Sequence, residues 1–91
     1  MKGKEITISG KVQGVGFREF IRREVGKLGG LAGYAKNLKS GDVKVVISGE
    51  DKKIKTLVEK CKKGPLLAYV KNISVENIET EEDFDSFFVK P

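Results

Sequence analysis

The stretch Gly10-Lys11-Val12-Gln13-Gly14-Val15-Gly16-Phe17-Arg18 gathers two kinds of group that bind anions: backbone N–H donors and a guanidinium. Gly14 and Gly16 permit backbone angles that let successive N–H groups point into one concavity. Beyond the loop, Phe17, Phe20, Ile21, Val25 and Leu28 recur at helical spacing, so it opens a helix whose N-terminal donors and dipole also favour negative charge. Arg18 adds a planar fork that matches two phosphate oxygens. Together these describe a site for a small tetrahedral dianion. It is not a Walker A loop, because no Gly-Lys-Ser/Thr follows, and Glu19 stands where a dinucleotide fingerprint needs its third glycine. On spacing alone, a glycine turn with a solvated Arg18 explains the string equally well.

The chemistry is narrowed by what is missing. The chain has no histidine, which excludes His-based triads, His acid–base work and His-ligated metals. Its one cysteine, Cys61, allows no intramolecular disulfide and no thiolate cluster. Cys61 falls in helical register with Ile54, Leu57 and Val58, so a buried packing role is expected over a lone nucleophile. The acidic stretch Glu79–Asp85 reads as a solvated loop. No metal and no cofactor are expected.

The elements that must hold such a site can be read along the chain. Ile6, Ile8 and Gly10 alternate with Thr7, Ser9 and Lys11, the period of a half-buried strand. The amphipathic helix from Phe17 stops at Gly29-Gly30. Gly33–Leu38 and Asp42–Ser48 read as strands joined through Lys39-Ser40-Gly41 into a hairpin. Gly49-Glu50-Asp51 breaks the second of them, with acidic residues where a helix start favours them. A second helix runs from about Lys52 to Lys62 and stops near Gly64-Pro65. Ala68–Glu79 supplies a long strand whose apolar positions Val70, Ile73, Val75 and Ile78 change parity, which suggests a bulge. A short strand, Phe87–Lys90, is expected last. The order predicts an α+β, ferredoxin-like βαββαβ sandwich, an antiparallel sheet with both helices on one face, as a single domain over 1–91.

With 91 residues there is room for one modest core and a site at its edge. The 18 basic and 13 acidic residues leave a net charge of +5, which favours anionic ligands, but they are interspersed and no run of five like charges occurs. The N-terminus leads into alternating residues, not into an apolar signal region, and nothing approaches the roughly 18 apolar residues of a membrane span. A cytoplasmic protein with no membrane partner is expected.

The loop string resembles the acylphosphatase signature Gly-x-Val-Gln-Gly-Val-x-Phe-Arg at every specified position. Gly33-Tyr34-Ala35-Lys36-Asn37 is similar to that family's Gly-aromatic-x-x-Asn motif, and Gly41-Asp42-Val43 follows as the family usually has it. Pro65 and Ala68-Tyr69-Val70 also sit where the family places a proline and the start of its long strand. The chain departs from the pattern at Gly30, which looks like an insertion, at Tyr34, where tryptophan is commoner, and at Ala35, where valine is usual.

The resemblance implies hydrolysis of an acyl phosphate to a carboxylate and inorganic phosphate, the latter both product and inhibitor. By the same resemblance Gln13, Gly14, Val15, Gly16, Phe17 and Arg18 bind the phosphoryl group, with Arg18 catalytic, and Asn37 orients the attacking water. Taken alone, Asn37 would be a turn residue at a strand end. The chemistry suits a chain without histidine. A carboxylate leaves without a general acid, since its conjugate acid has a pKa of about 4. Phosphoryl transfer is catalysed mainly by positioning and charge stabilisation. No general base stands out, and the proton can pass to a substrate phosphate oxygen. A free-standing monomeric enzyme acting on a small acyl phosphate is expected. The alternatives are a non-catalytic domain of the same family within a larger maturation enzyme, and an RNA-binding ferredoxin-like module. Nucleic acid is not expected, because Glu5–Gly10 and Asp42–Ser48 carry no aromatic residue for base stacking.

Overall fold

A computed structural model describes all 91 residues. The chain forms β1 (Lys2–Lys11), α1 (Phe17–Leu28), β2 (Ala32–Asn37), β3 (Val43–Ser48), α2 (Asp51–Lys63), β4 (Tyr69–Glu79) and β5 (Phe87–Val89). The predicted order is present, with each boundary shifted by a residue or a few, most at β1, which starts at Lys2.

The strands lie in the order β4-β1-β3-β2-β5. Alternation fixes which side chains meet the helices. Ile6 lies opposite Val45 and Ile8 opposite Val43, and Val45 faces Ala35 across the next pair; all are fully buried. Onto this face α1 lays Phe17, Ile21 and Val25, while α2 lays Ile54, Leu57 and Cys61. Both helices therefore cover one face of the sheet. Each fully buried aliphatic side chain contributes about 1.5–3 kcal/mol, which offsets much of the cost of ordering the chain.

The predicted bulge is at the start of β4. Ser9 pairs with Asn72 but Gly10 pairs with Val70, which leaves Lys71 as the extra residue and accounts for the parity step from Val70 to Ile73. Gly10 has φ of 127°, and a Cβ there would lie 2.2 Å from the Tyr69 carbonyl oxygen, so only glycine lets the strands close at this point. The second parity step has another cause. Ile78, opposite Gly3, lies in regular register and faces away from the side that carries Val75.

The sheet is antiparallel over four strands and not over the fifth. β5 runs parallel to β2, with Phe87 beside Gly33 and Val89 beside Ala35. The reason is topological. β4 ends where β1 began, so a strand starting from that end must run back in the direction of β2. Its last turn places Lys90 at the end of the sheet where β1 hands over to α1.

Candidate active site

Between β1 and α1 the chain turns through Gly14 (φ 74°) and Gly16 (φ 77°), both left-handed, on either side of Val15. Alternation of that kind curls the intervening amides toward one centre. A Cβ added at either glycine would meet nothing within 4 Å, so glycine is needed here for its backbone angles and not for room. Gly16 also stands at the N-cap of α1, with no side chain capping the helix, and the first helical bond is donated by Phe20 N–H to the Gly16 carbonyl at 3.0 Å. The amides of the first turn are thus left for something else.

Four tertiary contacts hold this loop in place. Val12 and Phe17 bury their side chains in the core at its two ends. The Phe17 ring packs edge-on against Phe20 and so tightly on Gly64 that a Cβ at Gly64 would lie 2.7 Å from it. Gln13 Nε2 donates to the carbonyls of Leu38 (2.7 Å) and Asp42 (2.9 Å), the two residues that close the β2–β3 turn through Leu38 N–H to Asp42 O. Gln13 therefore ties the loop to the hairpin that carries Asn37. Arg18 Nη1 donates to the Lys90 carbonyl at 2.7 Å, which fixes one arm of the guanidinium on the strap after β5. Lys90 is itself held twice, by its N–H on the Ala35 carbonyl and by its ammonium 3.8 Å above the Tyr34 ring.

Asn37 is the last residue of β2 and shares the helix-facing parity of Gly33 and Ala35. That parity turns it toward the loop. Gly14, Gly16, Phe17, Arg18 and Asn37 line one depression of about 270 Å³, together with Val12, Glu19 and Val89. Of the residues predicted for the site, Gln13 and Val15 do not line it. The Gln13 side chain is committed to the hairpin, and Val15 packs against the core cluster.

Three contributors lie outside the loop motif. Val89 and Lys90 reach the site only because β5 runs parallel to β2. Glu19 could have been placed by its neighbour Arg18, one residue into the helix. Its carboxylate receives Arg22 Nε at 3.0 Å and a second bond from Arg22 Nη2. That hydrogen bond holds the Glu19 carboxyl below its usual range despite some opposing desolvation, so Glu19 is ionised but paired. Cys61 is apart from all this. It is fully buried, and desolvation, then Glu24, push its thiol up to about 12, as befits a packing residue. No three His, Cys, Asp or Glu side chains are arranged to hold a metal ion.

Fold and site together define a ferredoxin-like domain in which a glycine loop, a helix N-terminus, an arginine and an asparagine meet at one end of the sheet. A profile of the acylphosphatase family matches residues 4–89. An acylphosphatase of Caldivirga maquilingensis is 44% identical over 93% of this chain and 90% of its own. The crystal structure of acylphosphatase from Bacillus subtilis superposes with a TM-score of 0.90 at 34% identity, each chain fully covered. HypF from T. kodakarensis superposes with a TM-score of 0.87 at 34% identity over 99% of this chain, but over 12% of its own. The chain belongs to the acylphosphatase family.

Proposed function

We propose that the chain hydrolyses small acyl phosphates by direct attack of water on a phosphoryl group held in the cradle of residues 13–18. The observation that carries this reading is the convergence of the loop glycines, Arg18 and Asn37 on one small depression. The phosphoryl oxygens take the loop amides, Gly14 to Phe17, and the free arm of the Arg18 fork. As the P–O bond to the acyl group breaks, its electron pair passes to the departing carboxylate while the three phosphoryl oxygens stay anionic, and donors fixed beforehand hold that group without reorganising. Asn37, at the rim opposite the loop, has an amide suited to hold water in line with the leaving carboxylate. The carboxylate departs without a proton, and the water's proton passes to a phosphate oxygen.

The Gln13 side chain takes a part of its own beside the loop amides. With both donors spent on the β2–β3 turn, it sets the distance between the cradle and Asn37. Several features support a catalytic module over an RNA-binding one. The helix-free face of the central strands β1 and β3 carries Glu5, Thr7, Ser9, Lys44 and Val46, none of which offers a stacking surface. On that face Tyr34, Phe84 and Phe88 pack against one another, edge-on or tilted, at the β2–β5 edge and away from the central strands. Inorganic phosphate, as product, is a competitive inhibitor.

The test is hydrolysis of acetyl or benzoyl phosphate in the presence of a chelator. Turnover should persist there, and an unactivated alkyl phosphate should be turned over at least about 10³-fold more slowly, since no residue is placed to protonate an alkoxide. Comparable rates on the two substrate types would overturn the assigned chemistry, as would activity that disappears with the chelator and returns with a divalent ion.

A further inference from the structure

The loop from α2 to β4 has the opposite character to the rest of the surface. Leu66 is 97% exposed, Leu67 68% and Tyr69 68%. An apolar tip this bare is uncommon unless something covers it. From Lys60 to Val75 the chain carries four lysines and no acidic residue. Of these, Lys60, Lys63 and Lys71 have no ion-pair partner, and Lys62 pairs with Glu59 at 3.0 Å. The register adds another lysine, because Tyr69 pairs with Lys11 at the end of β1. The loop also sits at the cradle end of the molecule, since its Gly64 packs on the Phe17 ring.

We propose that this tip docks the cradle end of the protein on an anionic lipid surface. Leu66, Leu67 and Tyr69 enter the headgroup region while Lys11, Lys63 and Lys71 stay above it, among the phosphates. Two considerations select a bilayer over other occupants. The tip is convex and small, three side chains against the roughly 800 Å² per partner of a stable protein interface, so it suits a surface that needs no matching shape. A second copy docked here would set lysine against lysine. The sequence expectation of no membrane partner rested on the missing apolar span, and no helix is long and apolar enough to cross a bilayer. Peripheral docking needs no span. What it needs is assembled by topology, from residues that are far apart in the chain.

The experiment is co-sedimentation of the full chain with vesicles of equal parts phosphatidylcholine and phosphatidylglycerol. Vesicles of phosphatidylcholine alone serve as the comparison. Binding is expected to the anionic vesicles only and to weaken as salt rises. Leu66→Ser with Leu67→Ser should weaken it by about tenfold or more, and Lys63→Gln and Lys71→Gln by about fivefold each. Lys2→Gln with Lys4→Gln, at the other end of the sheet, should leave it within about twofold. Circular dichroism and acetyl phosphate turnover, both expected to match the parent, establish that the leucine variant is folded. No sedimentation, or equal sedimentation of the leucine variant, overturns the proposal. Equal loss in the Lys2/Lys4 variant reduces the effect to net charge and overturns it too. Capture by immobilised polyglutamate without any vesicle binding assigns the tip to an acidic protein instead.

Discussion

The two ends of the sheet differ in a way that their cavities alone would hide. At the far end, two depressions of about 560 and 610 Å³ open between α2 and the β1–β4 edge, each larger than the 270 Å³ depression at the cradle. Their walls mix signs: Lys2, Lys4, Asp51 and Glu79 line the first, Lys52, Lys55 and Glu59 the second. The tertiary side-chain bond found there, from Lys4 to Asn77, is open to solvent. At the cradle, left-handed glycines, a helix N-terminus and an arginine converge, and each is held by a long-range contact through Gln13, Phe17 or Lys90. A binding site is marked by donors that agree in sign and are fixed by the core. Volume by itself marks little more than incomplete coverage of an edge strand.

The comparison breaks first at Arg18. In the proposed reaction Arg18→Ala removes a charge-assisted clamp that serves bound phosphate and, more strongly, the transition state. The expected loss is about 3–5 kcal/mol in transition-state stabilisation, with weaker phosphate inhibition and lower turnover together. Asn37→Ala should lower turnover by about 10²-fold or more while phosphate inhibition stays within a few-fold, because orienting water is a different task from holding phosphate. Inhibition constants and turnover measured side by side separate the two. Equal weakening of phosphate by both changes would make Asn37 a binding residue.

A smaller effect is expected at Gln13, and it sharpens the comparison because the residue acts at a distance. Gln13→Ala removes two partly buried hydrogen bonds, about 1–3 kcal/mol of folding stability. Phosphate inhibition should change only a few-fold, since Arg18 and the loop amides remain. Turnover should fall by about tenfold as Asn37 loses its fixed distance from the cradle. Thermal unfolding, turnover and phosphate inhibition are the three measurements. A loss of phosphate affinity matching that of Arg18→Ala would return Gln13 to the role of a direct ligand.

Much of this site was legible in the sequence, and the reason is local. The glycine angles, the helix start and Arg18 are encoded within nine consecutive residues, whereas Asn37, read alone as a turn residue at a strand end, was brought in by the family resemblance. The bulge was legible as a change of parity, because a bulge shifts alternation by one residue. What could not be read was long-range. Nothing about Phe87-Phe88-Val89 says that it pairs parallel to β2, and hence nothing says that the Lys90 carbonyl will hold Arg18. Nor could the partners of the Gln13 side chain be read, since they lie 25 and 29 residues away, across a turn. The apolar tip at Leu66-Leu67 was hidden because exposed and buried leucines look alike in one dimension.

The smallest expected effect is at the far end, and it decides whether volume or convergence identifies the site. Asp51→Asn and Lys4→Gln alter charged groups that line both of the larger depressions. Asp51 opens α2, where a carboxylate interacts favourably with the helix dipole, so its loss should cost stability by about 0.3–1 kcal/mol. Lys4 is bonded to Asn77 at an exposed position, and such contacts contribute little. Neither residue lies near the cradle: Lys4 is in the first half of β1, and Asp51 begins α2 at the end of the helix opposite Gly64, whose neighbour is Phe17. Acetyl phosphate turnover and phosphate inhibition should therefore both stay within about twofold of the parent, since charges more than a Debye length apart are largely screened. A tenfold fall in turnover at unchanged stability in either variant would mean that substrate meets the far end. The cradle would then be only part of the site.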